Sequence, residues 1–88
     1  MMGKITREML SEYNEEMLFA DGFDDALIGV CYKFGQVDCA VYDLKKCYQI
    51  LMENDKMTME VAMDYMDYNV LGAYVDKHTP VFITISEL

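Results

Sequence analysis

Apolar and polar positions alternate with two different periods along this chain, and the changes of period mark its elements. From Met9 to Met17 the apolar residues Met9, Leu10, Tyr13 and Met17 recur at helical spacing, with Glu8, Ser11, Glu12, Glu15 and Glu16 on the other side. Thr6 stands where an N-cap belongs, and Ile5 and Leu10 are spaced as a hydrophobic staple, so the pattern predicts a helix from Arg7 to Met17. Leu18-Phe19-Ala20 is compatible with a short edge strand, and Asp21-Gly22-Phe23-Asp24-Asp25 reads as a turn. The period then falls to two. Ile28, Val30, Tyr32 and Phe34 share one face, and Leu27, Gly29, Cys31 and Lys33 the other. Gly35-Gln36 suits a two-residue type II′ turn into a second strand, Val37 to Tyr42, which sets Phe34 opposite Val37 and Cys31 opposite Ala40. A three-residue turn would instead set Cys31 opposite Cys39.

Helical spacing returns after Asp43, a plausible N-cap for a helix to about Asn54 with the stripe Leu44, Cys47, Tyr48 and Leu51. Asn54-Asp55 closes it, and Thr58 caps a third helix. Met59, Ala62, Met63, Met66 and Val70 line one side of that helix, Val61, Tyr65 and Tyr68 flank them, and Glu60, Asp64 and Asp67 form a narrow acidic row. A helix apolar over so much of its circumference is expected at the centre of the fold, with Gly72 as its terminator. Asp76 to Pro80 reads as a loop and Val81 to Ile85 as a last, β-branched strand. The order α-β-β-α-α-β predicts an α+β domain spanning 1–88: a small antiparallel sheet, made of the hairpin plus the C-terminal strand, with helices on one face.

Composition narrows what such a domain can do. With 88 residues, one core is all the chain can hold, and the 53% hydrophobic content is enough to pack it without a disulfide framework. Cys31, Cys39 and Cys47 are an odd set with no C-x-x-C pair, which argues for free thiols in a reducing cytoplasm rather than for a zinc knuckle. A net charge of −9 opposes nucleic-acid backbones and favours basic partners or cations. Neither an apolar run of membrane-spanning length nor a secretory leader is visible, so no membrane association is expected.

Candidate chemistry concentrates in a few places. Glu8, Glu12, Glu15, Glu16, Asp21, Asp24 and Asp25 follow one another with no Lys, Arg or His between them, a patch able to dock a basic protein surface or to mimic a phosphate rail. Asp21, Asp24 and Asp25, with Asp38 and Asp43, are oxygen donors suited to Mg²⁺ or Ca²⁺ if they converge, although their spacing is not that of a calcium loop. His78 is the only histidine, and a nucleophilic reading would need Cys31, Cys39 or Cys47 within its reach. Nine methionines and seven tyrosines exceed what so small a core can absorb, so several are expected at an interface or in a ligand pocket. No phosphate-binding loop or dinucleotide fingerprint occurs.

The stretches Asp21-Gly22-Phe23-Asp24-Asp25-Ala26, Ala40-Val41-Tyr42-Asp43, Asn69-Val70-Leu71-Gly72-Ala73-Tyr74-Val75 and Thr79-Pro80-Val81-Phe82 resemble a group of small uncharacterised proteins of tailed bacteriophages. The resemblance implies a viral origin and the cytoplasm of a host cell, and assigns no functional residue. Together these observations lead to the expectation of an acidic, self-associating, non-enzymatic protein that binds and inhibits or redirects a host protein, such as a defence factor. Its expected contact residues are Asp21, Phe23, Asp24, Asp25, Tyr74 and His78, with no cofactor. Two alternatives belong to other classes: a sponge for a nucleotide or other small molecule, built from Tyr74, His78 and the Asp21 loop, and a metal-dependent hydrolase using the loop acids.

Overall fold

A computed structural model describes residues 5–32, 35, 37–73 and 75–85. The chain runs α1 (Arg7–Tyr13), a 3₁₀ turn (Asp24–Ala26), β1 (Leu27–Cys31), β2 (Cys39–Asp43), α2 (Leu44–Asn54), α3 (Met59–Tyr65) continued by a π-helical turn (Met66–Leu71), and β3 (Val81–Ile83). It is an α+β fold with the expected order of elements.

Each helix starts where a side chain satisfies the free amides of its first turn. Thr6 accepts from the Met9 amide, Asp43 from those of Lys45 and Lys46, and Thr58 from that of Val61. The first helix ends at Tyr13 rather than at Met17. Asn14 leaves helical geometry with φ −151°, and its side chain accepts from the Glu16 amide, a local bond that competes with further helix. Leu10 and Met17 are still buried, whereas Met9 and Tyr13 face solvent. Residues 18–20 form no strand.

The sheet order is β1-β2-β3. β1 pairs antiparallel with β2 in a register that sets Val30 opposite Ala40 and Cys31 opposite Cys39, so the hairpin does not follow the two-residue-turn register. Burial explains the choice. The observed register places Val30, Ala40 and Tyr42 together against the core, whereas the other would pair Tyr42 with Gly29 on the opposite face. The turn residues Lys33, Phe34 and Gln36 lie outside the described residues. A β-bulge at Ile28 breaks the strict alternation, so that Leu27 and Val30 both meet the core while Ile28 is exposed.

β3 pairs with β2 in parallel, which makes the sheet mixed rather than antiparallel, and it ends at Ile83 rather than Ile85. The reason is connectivity. The chain enters α2 directly from the end of β2, and α3 with residues 72–80 returns it to the end where β2 begins, a crossover of the kind parallel pairing needs.

The third helix is not central. It buries only Ala62 and, in its π-turn, Met66, with Val70 half-buried; Met59, Val61, Met63, Tyr65 and Tyr68 are exposed. The central position belongs to α2, which packs against the 3₁₀ turn, β2 and α3 and contributes Cys47 and Leu51 to the core. The residues this segment buries or half-buries, Ala62, Met66 and Val70, are spaced i, i+4, i+8, and among the described residues the apolar side chains on its other side remain in solvent. Gly72 ends the π-turn where an added Cβ would stand 3.1 Å from the Asp67 carbonyl oxygen.

Tyr42 joins these parts. Its ring is fully buried and stacks on Phe82 at 5.3 Å, and its hydroxyl accepts a 2.9 Å hydrogen bond from the Ala20 amide. Tyr42→Phe keeps the ring and strands that amide, so it should lower unfolding free energy in urea titration by about 1–2 kcal/mol, the usual cost of an unsatisfied buried donor.

Candidate functional site

The segment from Leu18 to Phe23 has no regular structure, and three contacts hold it in place. Ala20 is tied to Tyr42 as described. The Arg7 guanidinium lies 4.9 Å from the centre of the Phe19 ring and reaches Asp21 at 3.2 Å and Asp24 at 3.4 Å. Gly22 turns the backbone at φ +89°, a conformation that side chains rarely adopt. Arg7 therefore partly neutralises the acidic run that follows it, although ion pairs this exposed contribute little to stability.

This segment forms one wall of a cleft of about 370 Å³. The π-turn of α3 forms a second wall with Tyr65, Asn69 and Val70, and residues 75–82 form the third. Phe19, Phe23, Val70 and Phe82 make it mainly apolar; Asp21, Asn69 and Thr79 bring polar atoms to it. The third wall is fixed by its own hydrogen bonds. The Thr79 hydroxyl accepts from the amides of Val75 and Asp76, both at 3.0 Å, and Asp76 Oδ1 accepts from the His78 amide at 2.7 Å.

Of the expected contact residues, the cleft takes in Asp21 and Phe23. Asp24 turns to Arg7, and Asp25 is exposed on the same 3₁₀ turn. His78 is buried and directed elsewhere. Its Nδ1 lies 3.2 Å from Asp76 Oδ1, while Nε2 lies 3.3 Å from Glu16 Oε2 without the alignment of a hydrogen bond. The histidine thus links the loop to the chain just after α1 and does not line the cleft. Tyr74 lies outside the described residues.

Among the described residues, the other candidate chemistries find no matching geometry. Among the described residues no three His, Cys, Asp or Glu side chains are grouped so as to hold a metal ion. Cys47 is fully buried, and that burial, with Asp43 adding to it, pushes its thiol up to about 12, out of the range of a nucleophile at neutral pH. Cys39 donates its thiol proton to the Lys77 carbonyl at 3.2 Å. Tyr13 donates to Asp38 Oδ2, a bond that pushes its phenol up to about 12 and ties α1 to the start of β2.

Beside the cleft, Met59, Val61, Met63, Tyr65, Tyr68 and Leu71 leave α3 and its π-turn with apolar side chains in solvent. Sequence reading placed part of this row in the core, and it missed Phe19, Asn69, Val70 and Phe82 as cleft residues. Their convergence depends on Tyr42 and Arg7 gathering distant segments, which no local spacing reveals. Comparison with protein-family models, with curated proteins and with solved structures finds no match. Among the described residues, no helix is long and apolar enough to cross a membrane.

The loop wall carries a pH signature. The His78 amide, donating to the carboxylate, holds the Asp76 carboxyl below its ordinary value; desolvation opposes it, and the His78 side chain and the Lys77 charge add to the lowering. A carboxyl depressed in the folded state stabilises the fold above its unfolded pKa, and that contribution is lost as pH falls through the folded value. Asp76→Asn should therefore destabilise the protein at neutral pH, and the gap to the parent should shrink below about pH 4. Urea titrations across that range measure the gap; one that stays constant with pH would assign the effect to lost packing.

Proposed function

We propose that this chain is a non-enzymatic binding protein that engages another protein through the outer side of α3 and the adjoining cleft. The observation that carries the reading is the exposure of Met59, Val61, Met63, Tyr65 and Tyr68 in a chain whose core includes only two residues of that helix segment, Ala62 and Met66. Tyrosine and methionine supply large contact area at interfaces, and contiguous exposed apolar surface marks such sites. Glu60, Asp64 and Asp67 are interspersed with them on a chain of net charge −9, so the complementary partner presents apolar side chains flanked by Lys or Arg. The bacteriophage resemblance supports a host protein as that partner, inhibited or redirected in the host cytoplasm, with a defence factor as one candidate. A second copy of the chain is the competing occupant of the same surface.

The double variant Tyr65→Ala/Tyr68→Ala tests this, because both residues are exposed and neither belongs to the buried core. Against a partner identified by crosslinking, calorimetry should show at least a tenfold loss of affinity, about 1.4 kcal/mol, and parental binding should weaken as salt rises. Unchanged affinity in the double variant would remove the surface from the interface. Sedimentation of the protein alone shows whether a second copy occupies it instead.

A second reading, sequestration of a small molecule, is favoured by the cleft, whose volume lies in the range of small-ligand sites. Asp21 beside an aromatic floor favours neutral or cationic ligands over anionic ones. Heat released on titrating nucleosides, but not on titrating basic peptides, would select it.

A further inference from the structure

The hairpin register has a chemical consequence. Cys31 and Cys39 are directly opposite on neighbouring antiparallel strands, and both are free thiols. Residues so paired hold their Cα atoms about 4.5–5.5 Å apart, inside the roughly 4.4–6.8 Å that a disulfide spans. Their side chains leave the same face of the sheet. The two thiols differ in access: Cys31 is half-buried on the edge strand β1, whereas Cys39 is buried on the central strand. Cys47, in the core with α2, stands outside this arrangement.

We propose that Cys31 and Cys39 are a redox pair that closes to a cross-strand disulfide on exchange with a low-molecular-weight disulfide of the glutathione class. The Cys31 thiol, after losing its proton to solvent, attacks one sulfur of the small disulfide; an S–S bond forms to Cys31, the original S–S bond breaks, and one small thiolate leaves and takes up a proton. The Cys39 thiol then gives up its proton and attacks the Cys31 sulfur, releasing the second small thiol. Two protein thiols are oxidised and one small disulfide is reduced to two thiols.

Closure removes a structural hydrogen bond. The proton that leaves Cys39 is the one it donates to the Lys77 carbonyl, so in the oxidised protein that carbonyl loses its partner. Lys77 belongs to the loop that supplies Val75, Thr79 and Pro80 to the cleft. Oxidation therefore loosens one cleft wall. Its effect on binding rests on the cleft being the contact site; the disulfide itself does not.

Oxidised glutathione added to the folded protein tests the pair. Intact mass should fall by two hydrogen atoms. Digestion after Lys33, which separates the two cysteines, should yield a Cys31–Cys39 linked peptide, with Cys47 alkylated only after unfolding. Cys31→Ser should abolish the link. A product carrying glutathione on Cys31 without closure, or no reaction at all, would overturn the proposal. Hydrogen exchange of the Val75, Asp76, His78 and Thr79 amides should accelerate at least tenfold on oxidation; unchanged protection in a protein whose disulfide has formed would overturn the loop release. Loosened amides with unaltered partner binding would count against the cleft as the contact site and leave the disulfide standing.

Discussion

The burial of Tyr42 is the constraint on which the rest of the structure depends. A phenol can enter a core when its ring is packed and its hydroxyl finds a partner, and this one takes its partner from the amide of Ala20, a residue in an irregular segment. That bond settles three things together. It places residues 18–23 over the sheet without requiring a strand, it selects the hairpin register that turns Tyr42 inward, and through the Phe82 stack it fixes where β3 docks. Arg7 reinforces the same segment from outside with a cation over Phe19 and two carboxylates.

A core organised this way needs few of the apolar side chains the chain offers. Leu10, Met17, Phe23, Leu27, Leu51 and Met66 fill much of it, and small residues such as Ala26, Ala40, Cys47 and Ala62 permit close approach at its centre. The surplus falls on α3, whose outer side leaves Met59, Val61, Met63 and Tyr65 in solvent. Carboxylates of Glu60, Asp64 and Asp67 keep that helix hydrated without hiding its rings. Apolar area and negative charge on one helix favour a partner that answers both, which is the physical basis for reading the chain as a binding module.

Much of the fold was legible because it is written in local chemistry. Thr6, Asp43 and Thr58 announce helix starts through oxygen atoms that reach amides two or three residues away, and Asn54-Asp55 and Gly72 mark ends. The misreadings involve choices made by distant residues. Asn14 shortens α1 through a bond that competes with a continuous apolar pattern, the direction of β3 depends on how two helices return the chain, and the exposure of α3 depends on α2 having taken the central place. The candidate site divides in the same way. Asp21 and Phe23 were readable from the turn that carries them, whereas the approach of His78 to Glu16 joins residues too far apart for any spacing rule.

The parallel docking of β3 against β2 also governs when this protein can be completed during synthesis. The hairpin and both later helices emerge from the ribosome before residues 81–83 do, so until then one side of β2 has unpaired backbone groups in water. A nascent chain is thus most open to wrong strand partners in the interval between the emergence of Asp43 from the ribosome and that of Ile83, and a delay within that interval prolongs the exposure.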